Sequence, residues 1–96
     1  MPTCEALEDR VLSMNGSTAL LPCKPKGYPQ PEVKWSKINS TLPIGRYSIT
    51  GEGLLIENIT LEDSGNYEVV LTSSVGTFTY VINLISKYRI FVLNLL

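Results

Sequence analysis

Apolar side chains in this chain recur at every second position, in short runs closed by glycine, proline, asparagine or serine. That period puts successive side chains on opposite faces of an extended backbone, so each run is a strand with one face to bury. Ala19, Leu21 and Cys23 share a face in residues 18–23, and Val33 and Trp35 do so in residues 32–37. Tyr47 and Ile49 align in residues 46–50, Leu54 and Ile56 in residues 54–58, and Tyr67, Val69 and Leu71 in residues 66–72. The first run covers residues 10–12, and the last starts after Gly76 and covers residues 77–85. Between the runs lie Asn15-Gly16-Ser17, the loop Gly27-Tyr28-Pro29-Gln30-Pro31, a polar stretch over residues 38–45, Gly51-Glu52-Gly53 and a tight corner at residues 61–65. Turn signals at intervals of about 8–12 residues point to an all-β sandwich or barrel, and no helix-period segment of useful length competes.

The function classes open to such a chain are narrow. Its 96 residues make one domain, which buries roughly 60–65% of its unfolded surface. The net charge is −1 and no block of like charge occurs, so the basic surface that holds a phosphate backbone is missing and nucleic acid is excluded as a partner. There is no histidine, which removes the commonest general base and the commonest metal ligand together. Serines and threonines are plentiful but have no imidazole to activate them. Glu5, Glu8 and Asp9, and likewise Glu62 and Asp63, read as solvated charges, because paired-carboxylate chemistry needs a cleft. Gly51-Glu52-Gly53 lacks the further glycine and helix of a dinucleotide site. Cys4 and Cys23 are too few to hold a metal. No enzymatic activity, cofactor or metal is expected.

The N-terminus, Met-Pro-Thr-Cys-Glu-Ala, has no basic segment leading into an apolar one, so it does not read as a signal peptide. The chain therefore reads as an excised module or an incomplete gene product. Residues 86–96 form an apolar tail with Tyr88, Ile90, Phe91, Val92, Leu93, Leu95 and Leu96. The tail is shorter than the ~20 residues of a spanning helix and is interrupted by Lys87 and Arg89, so it is not read as a membrane segment.

Cys23, Trp35 and Asp63-Ser64-Gly65-Asn66-Tyr67 carry more specific information. Trp35 follows Cys23 by twelve residues, Gly16 precedes the strand of Cys23, and Gly27, Pro29 and Pro31 fill the next loop. Leu54-Leu55-Ile56 precedes the corner, and Gly76 and Leu84 lie in the last strand. In this joint order the chain resembles the intermediate-set (I-set) class of immunoglobulin domains over residues 5–85. The resemblance implies an antiparallel two-sheet Greek-key sandwich with Cys23, Trp35, Ile56, Tyr67 and Val69 in its core. Trp35 is expected to plug the space between the sheets, and Tyr67 to form the tyrosine corner with its hydroxyl bonded back to the backbone. Gly65 is expected to supply the corner's backbone conformation. An ion pair between Arg46 and Asp63 is expected across the base of the sandwich.

One departure matters. The family places a second cysteine two residues after the corner tyrosine, and here that residue is Val69. The inter-sheet disulfide is therefore absent, and Cys23 becomes a small buried hydrophobe. Three accounts stay open: a naturally disulfide-free domain, pairing of Cys4 with Cys23 across an antiparallel hairpin turning near Met14, or a degenerate product. A bridge within one sheet would be unusual geometry. Without a bridge, the last strand and the tail expose enough apolar surface to favour aggregation.

Asn15-Gly16-Ser17, Asn39-Ser40-Thr41 and Asn58-Ile59-Thr60 are N-glycosylation sequons at turns. Asn39 is the first choice for modification, Asn15 and Asn58 the others. The sequons point to an extracellular or cell-surface recognition and adhesion module within a larger protein. Its expected partners are proteins, a second copy among them, and neighbouring Ig-like domains, with the loops at residues 26–31 and 38–45 as contact surfaces. Val69 points instead to a cytoplasmic, sarcomeric module, similar to the disulfide-free I-set domains of muscle scaffold proteins.

Overall fold

Residues 1–88 are described by the computed structural model. Among them the strands run β1 (Thr3–Glu5), β2 (Arg10–Met14), β3 (Ala19–Pro22), β4 (Lys24–Lys26), β5 (Glu32–Lys37), β6 (Tyr47–Thr50), β7 (Gly53–Ile56), β8 (Gly65–Ser73) and β9 (Gly76–Lys87), with a 3₁₀ turn at Leu61–Asp63 before β8. They pack as two layers. One joins β1 to β4 and orders β3-β7-β6, with only Cys23 separating β3 from β4; the other is ordered β2-β9-β8-β5. Every pairing is antiparallel except β2 on β9, which is parallel. The chain is thus an all-β sandwich with one parallel edge strand.

The alternation seen in the sequence is what closes the layers. Leu21, Leu54 and Ile56 from one layer and Tyr67, Val69, Leu71, Ile82 and Leu84 from the other are buried, with Cys23, Ala19, Ile59 and Trp35 completing the cluster. Trp35 lies opposite Val69 in the β5–β8 ladder and retains 7% of its surface. Burying a side chain of this kind contributes about 1.5–3 kcal/mol, so these few residues dominate stability.

Two short strands escape the sequence pattern. β1 and β4 have three residues each and are too short for a period of two to register. Their pairing sets Cys4 opposite Pro25, with its Cα 4.9 Å from that of Cys23, and the two sulfurs are bonded. The expectation of Cys23 as a free buried hydrophobe is corrected: it is buried, but bonded to Cys4. The bridge forms within one layer because both side chains point inward from adjacent strands, and no bond crosses to Val69. The chain then breaks at Ala6, whose φ is 59°, and β2 continues in the other layer.

Two further differences have simple causes. Tyr47 and Ile49 share the inner face of β6 but stay 38% and 53% exposed. β6 is the outer strand of its layer, and their side chains are not fully covered by the layer opposite. The last strand runs on to Lys87 because β2 pairs along it as far as Met14 opposite Lys87. The apolar tail residues Ile90, Phe91, Val92, Leu93, Leu95 and Leu96 lie outside the described residues.

Gly53 is the glycine that the packing cannot replace. Its φ is 141°, and a β-carbon there would collide with the backbone oxygen of Leu21 on β3. Gly51, two residues earlier, has open space around it. Gly53→Ala should therefore lower the unfolding free energy by more than about 2 kcal/mol, with Gly51→Ala within about 1 kcal/mol of the parent. Urea melts compare the two, and equal midpoints would show that β3 and β7 approach less closely. The bridge closes a loop with a sequence separation of 19, so Cys4→Ser should cost about 2–4 kcal/mol. The same loss is expected on reduction of the parent, and none on reduction of the variant.

Candidate interaction surfaces

At the base of the sandwich a polar cluster ties the layers together. Arg46 enters β6, and Asp63 ends the 3₁₀ turn that leads into β8. The guanidinium grips the carboxylate with two prongs, Nη1 to Oδ2 at 3.0 Å and Nη2 to Oδ1 at 2.9 Å. Nη1 also donates to the carbonyls of Glu57 and Asn58, at 3.0 and 2.9 Å. The amide of Thr60 donates to Asp63 Oδ2 at 2.8 Å. Asp63 is 4% exposed, so it is not the solvated charge that its neighbour Glu62 suggested. Burial alone would raise the Asp63 pKa, but the Arg46 and Thr60 hydrogen bonds outweigh it and hold the carboxyl below the ordinary range. The same hydrogen bond raises the pKa of Arg46.

Tyr67 is fully buried, and its hydroxyl donates to the carbonyl of Asp63 at 2.6 Å. Burial first, and the Asp63 charge second, push its pKa up to about 12. Gly65 between them has a φ of 149°. Lys37 was not legible in the sequence. Its ammonium donates to the Glu62 carbonyl at 2.7 Å and lies 5.6 Å from the centre of the Tyr67 ring. These partners are 25 and 30 residues away along the chain, and no local pattern marks a contact made only by strand register. Ser64 and Ser86 were missed for the same reason: their hydroxyls lie 2.6 Å apart, and Ser64 Oγ accepts from the Ser86 amide.

The two candidate loops occupy opposite ends of the molecule. β5 begins beside the β8–β9 turn, with Glu32 opposite Thr72, and ends at the corner, with Lys37 opposite Tyr67. The loop before β5 therefore stands at one end, where Tyr28 is 92% exposed. The stretch after it stands at the other, where Ile44 is 88% exposed. There Lys37, Leu42, Pro43, Ile44, Arg46 and Asp63 are among the residues lining a depression of about 250 Å³. Arg46 and Asp63 are paired with each other there, and Ser40, Thr41 and Glu62 add polar groups to its lining. Among the described residues no cluster of histidine, cysteine, aspartate or glutamate could hold a metal, and no helix is long and apolar enough to cross a membrane.

The sequon residues Asn15, Asn39 and Asn58 are all exposed. Asn39 and Asn58 have φ values of 62° and 50°, a conformation that asparagine tolerates better than most residues. Asn58 is also held through its carbonyl by Arg46, which places that sequon on the rigid base of the sandwich.

The depressed pKa of Asp63 has a consequence with a definite sign. Its contribution is fully present above the unfolded carboxylate value of about 3.9 and is lost as pH falls through the lower folded value. Asp63→Asn should cost about 1–3 kcal/mol at pH 7, since it leaves Arg46 unpaired at a partly buried site. The variant should also lose less stability than the parent between pH 5 and the acid limit (about pH 2). Parallel acid dependences in chemical melts would rule out a stabilising charge on Asp63.

Comparison with known proteins adds to this geometry. The model of the immunoglobulin I-set domain matches residues 2–85. The human neural cell adhesion molecule L1-like protein is 37% identical over 81 residues, covering 82% of this chain and 7% of that protein. The human cell adhesion molecule DSCAM is 43% identical over 70 residues, covering 72% of this chain and 4% of that protein. Among solved structures, a chimeric titin Z1Z2 carrying an exogenous peptide from decorin matches with a TM-score of 0.77 at 30% identity, covering 92% of this chain and 95% of that one. The chain spans less than a tenth of the length of these two curated relatives. With its two layers, tyrosine corner and match over residues 2–85, this chain belongs to the immunoglobulin I-set family.

Proposed function

We propose that this domain is an extracellular recognition module that binds a protein partner and acts in adhesion, beside neighbouring Ig-like domains of a longer cell-surface or secreted protein. The I-set family and its adhesion relatives are non-enzymatic, so the domain's work is contact. The Cys4–Cys23 bond is the observation that carries the proposal. A disulfide of this kind persists in oxidising compartments and is rare where glutathione keeps thiols reduced. Three exposed sequon asparagines and the similarity to two adhesion molecules support the same compartment. The exposed loop ends, with Tyr28 at one and Ile44 at the other, supply the apolar contact that such binding needs.

A cytoplasmic scaffold role is the second reading, and Val69 together with the likeness to a titin chain favours it. A module whose layers are held together without a disulfide between them is suited to a reducing cytosol. One experiment separates the two. The domain is produced in a eukaryotic secretory pathway, treated with a glycosidase, and its thiols are counted by alkylation with and without reductant. The adhesive role expects a mobility shift and two thiols that react only after reduction. No shift, with both thiols free at once, would assign the domain to the cytosol.

A further inference from the structure

The backbone edges of the two layers are not equally protected. β5 carries Glu32, Lys34 and Lys37 along its length. β2 contains Arg10 and is preceded by Glu8 and Asp9. β1 is three residues long and holds Glu5, paired with Lys26 at 3.3 Å. Charges and short length keep edges such as these from accepting further strands. The order β3-β7-β6 has two outer strands: β3 ends in Pro22, whereas β6 reads Tyr47-Ser48-Ile49-Thr50, with neither charge nor proline.

Exposed side chains and free backbone groups coincide on this strand. The amide of Glu57 donates to the carbonyl of Arg46 at 2.7 Å. In the register of β6 on β7, residues 46, 48 and 50 thus bond inward, and alternation turns the N–H and C=O of Tyr47 and Ile49 outward. Those are also the two apolar residues of the strand, and their side chains stay exposed.

We infer that β6 pairs antiparallel with β6 of a second copy of this chain, about a two-fold axis at Ser48. Tyr47 then faces Ile49 of the copy, and Ile49 faces its Tyr47. This register satisfies three independent requirements. It puts the inner faces of both molecules on one side, which a one-residue slip would not. It aligns the outward backbone groups into about four main-chain hydrogen bonds. It also sets an aromatic residue against a β-branched one, a favourable cross-strand pair. The flanking charges do not oppose the approach, because Asp63 neutralises Arg46 and Lys24 lies 3.7 Å from Glu52. The occupant is a second copy because the same three residues, Tyr47, Ser48 and Ile49, serve both halves of the contact under two-fold symmetry. So short a contact buries little area, and the pair is weak and concentration-dependent. The inference rests on the edge geometry alone and is independent of the adhesive role.

Sedimentation of the unglycosylated full chain from micromolar to near-millimolar concentration is the first test. The weight-average mass should rise toward twofold, and Ile49→Lys should hold it at the monomer value with an unchanged melt. Cross-linking gives a second readout. Ser48 meets its copy in a non-hydrogen-bonded pair with Cα atoms about 4.5 Å apart, within disulfide reach. Ser48→Cys should therefore form a linked dimer more than about tenfold faster than Ser36→Cys on the guarded edge of β5. A parent that stays monomeric throughout, an Ile49→Lys chain that associates as the parent does, or equal cross-linking rates would each overturn the inference.

Discussion

Apolar burial between the two layers, against a face where Trp35 and Val69 stand side by side in one ladder, is the constraint on which the rest of the structure depends. Among the described residues no covalent bond joins the layers, since the Cys4–Cys23 bridge lies within one of them. Closure therefore comes from apolar burial, which acts between any well-fitted surfaces and needs no fixed pair of atoms. A valine in place of a cysteine keeps the volume filled and loses only the tether. The existing bridge works elsewhere: it restricts the unfolded chain around its first strand rather than holding one layer to the other.

Polar contacts complete what packing leaves open at the base. Arg46 leads into β6 of one layer, while Asp63 and Tyr67 lead into the other, so the ion pair crosses the gap where the core ends and the tyrosine hydroxyl bond holds the corner that carries Asp63. A buried carboxylate is tolerable there because its oxygens accept from the guanidinium and from the Thr60 amide. The arrangement also fixes the carbonyls of Glu57 and Asn58, and hence the entry to the corner. Its chemistry is structural. Arg46 and Asp63 are consumed by each other and by backbone partners within the chain.

That division shapes what the domain can do. Among its exposed apolar residues, Tyr28 and Ile44 lie at the two loop ends and Tyr47 and Ile49 along the outer strand β6, in separate places on the surface. The similarity to adhesion molecules is consistent with a surface of this kind, while the likeness to a titin chain shows that the same sandwich serves other settings.

Residue order alone determined the all-β class, the strands long enough to show alternation, the glycine at the corner and the inward set Leu21, Trp35, Ile56, Tyr67 and Val69. These are legible because a period of two is a local property: each strand declares its buried face within a few residues. Tertiary structure decided the partners. Cys4 found Cys23 through strands too short to carry a pattern, Lys37 found Tyr67 through ladder register, and Tyr47 and Ile49 were left exposed because their strand is the last in its layer. Pairing, register and edge position depend on which distant segments lie side by side, and that depends on the packing of the whole chain rather than on any one stretch of it.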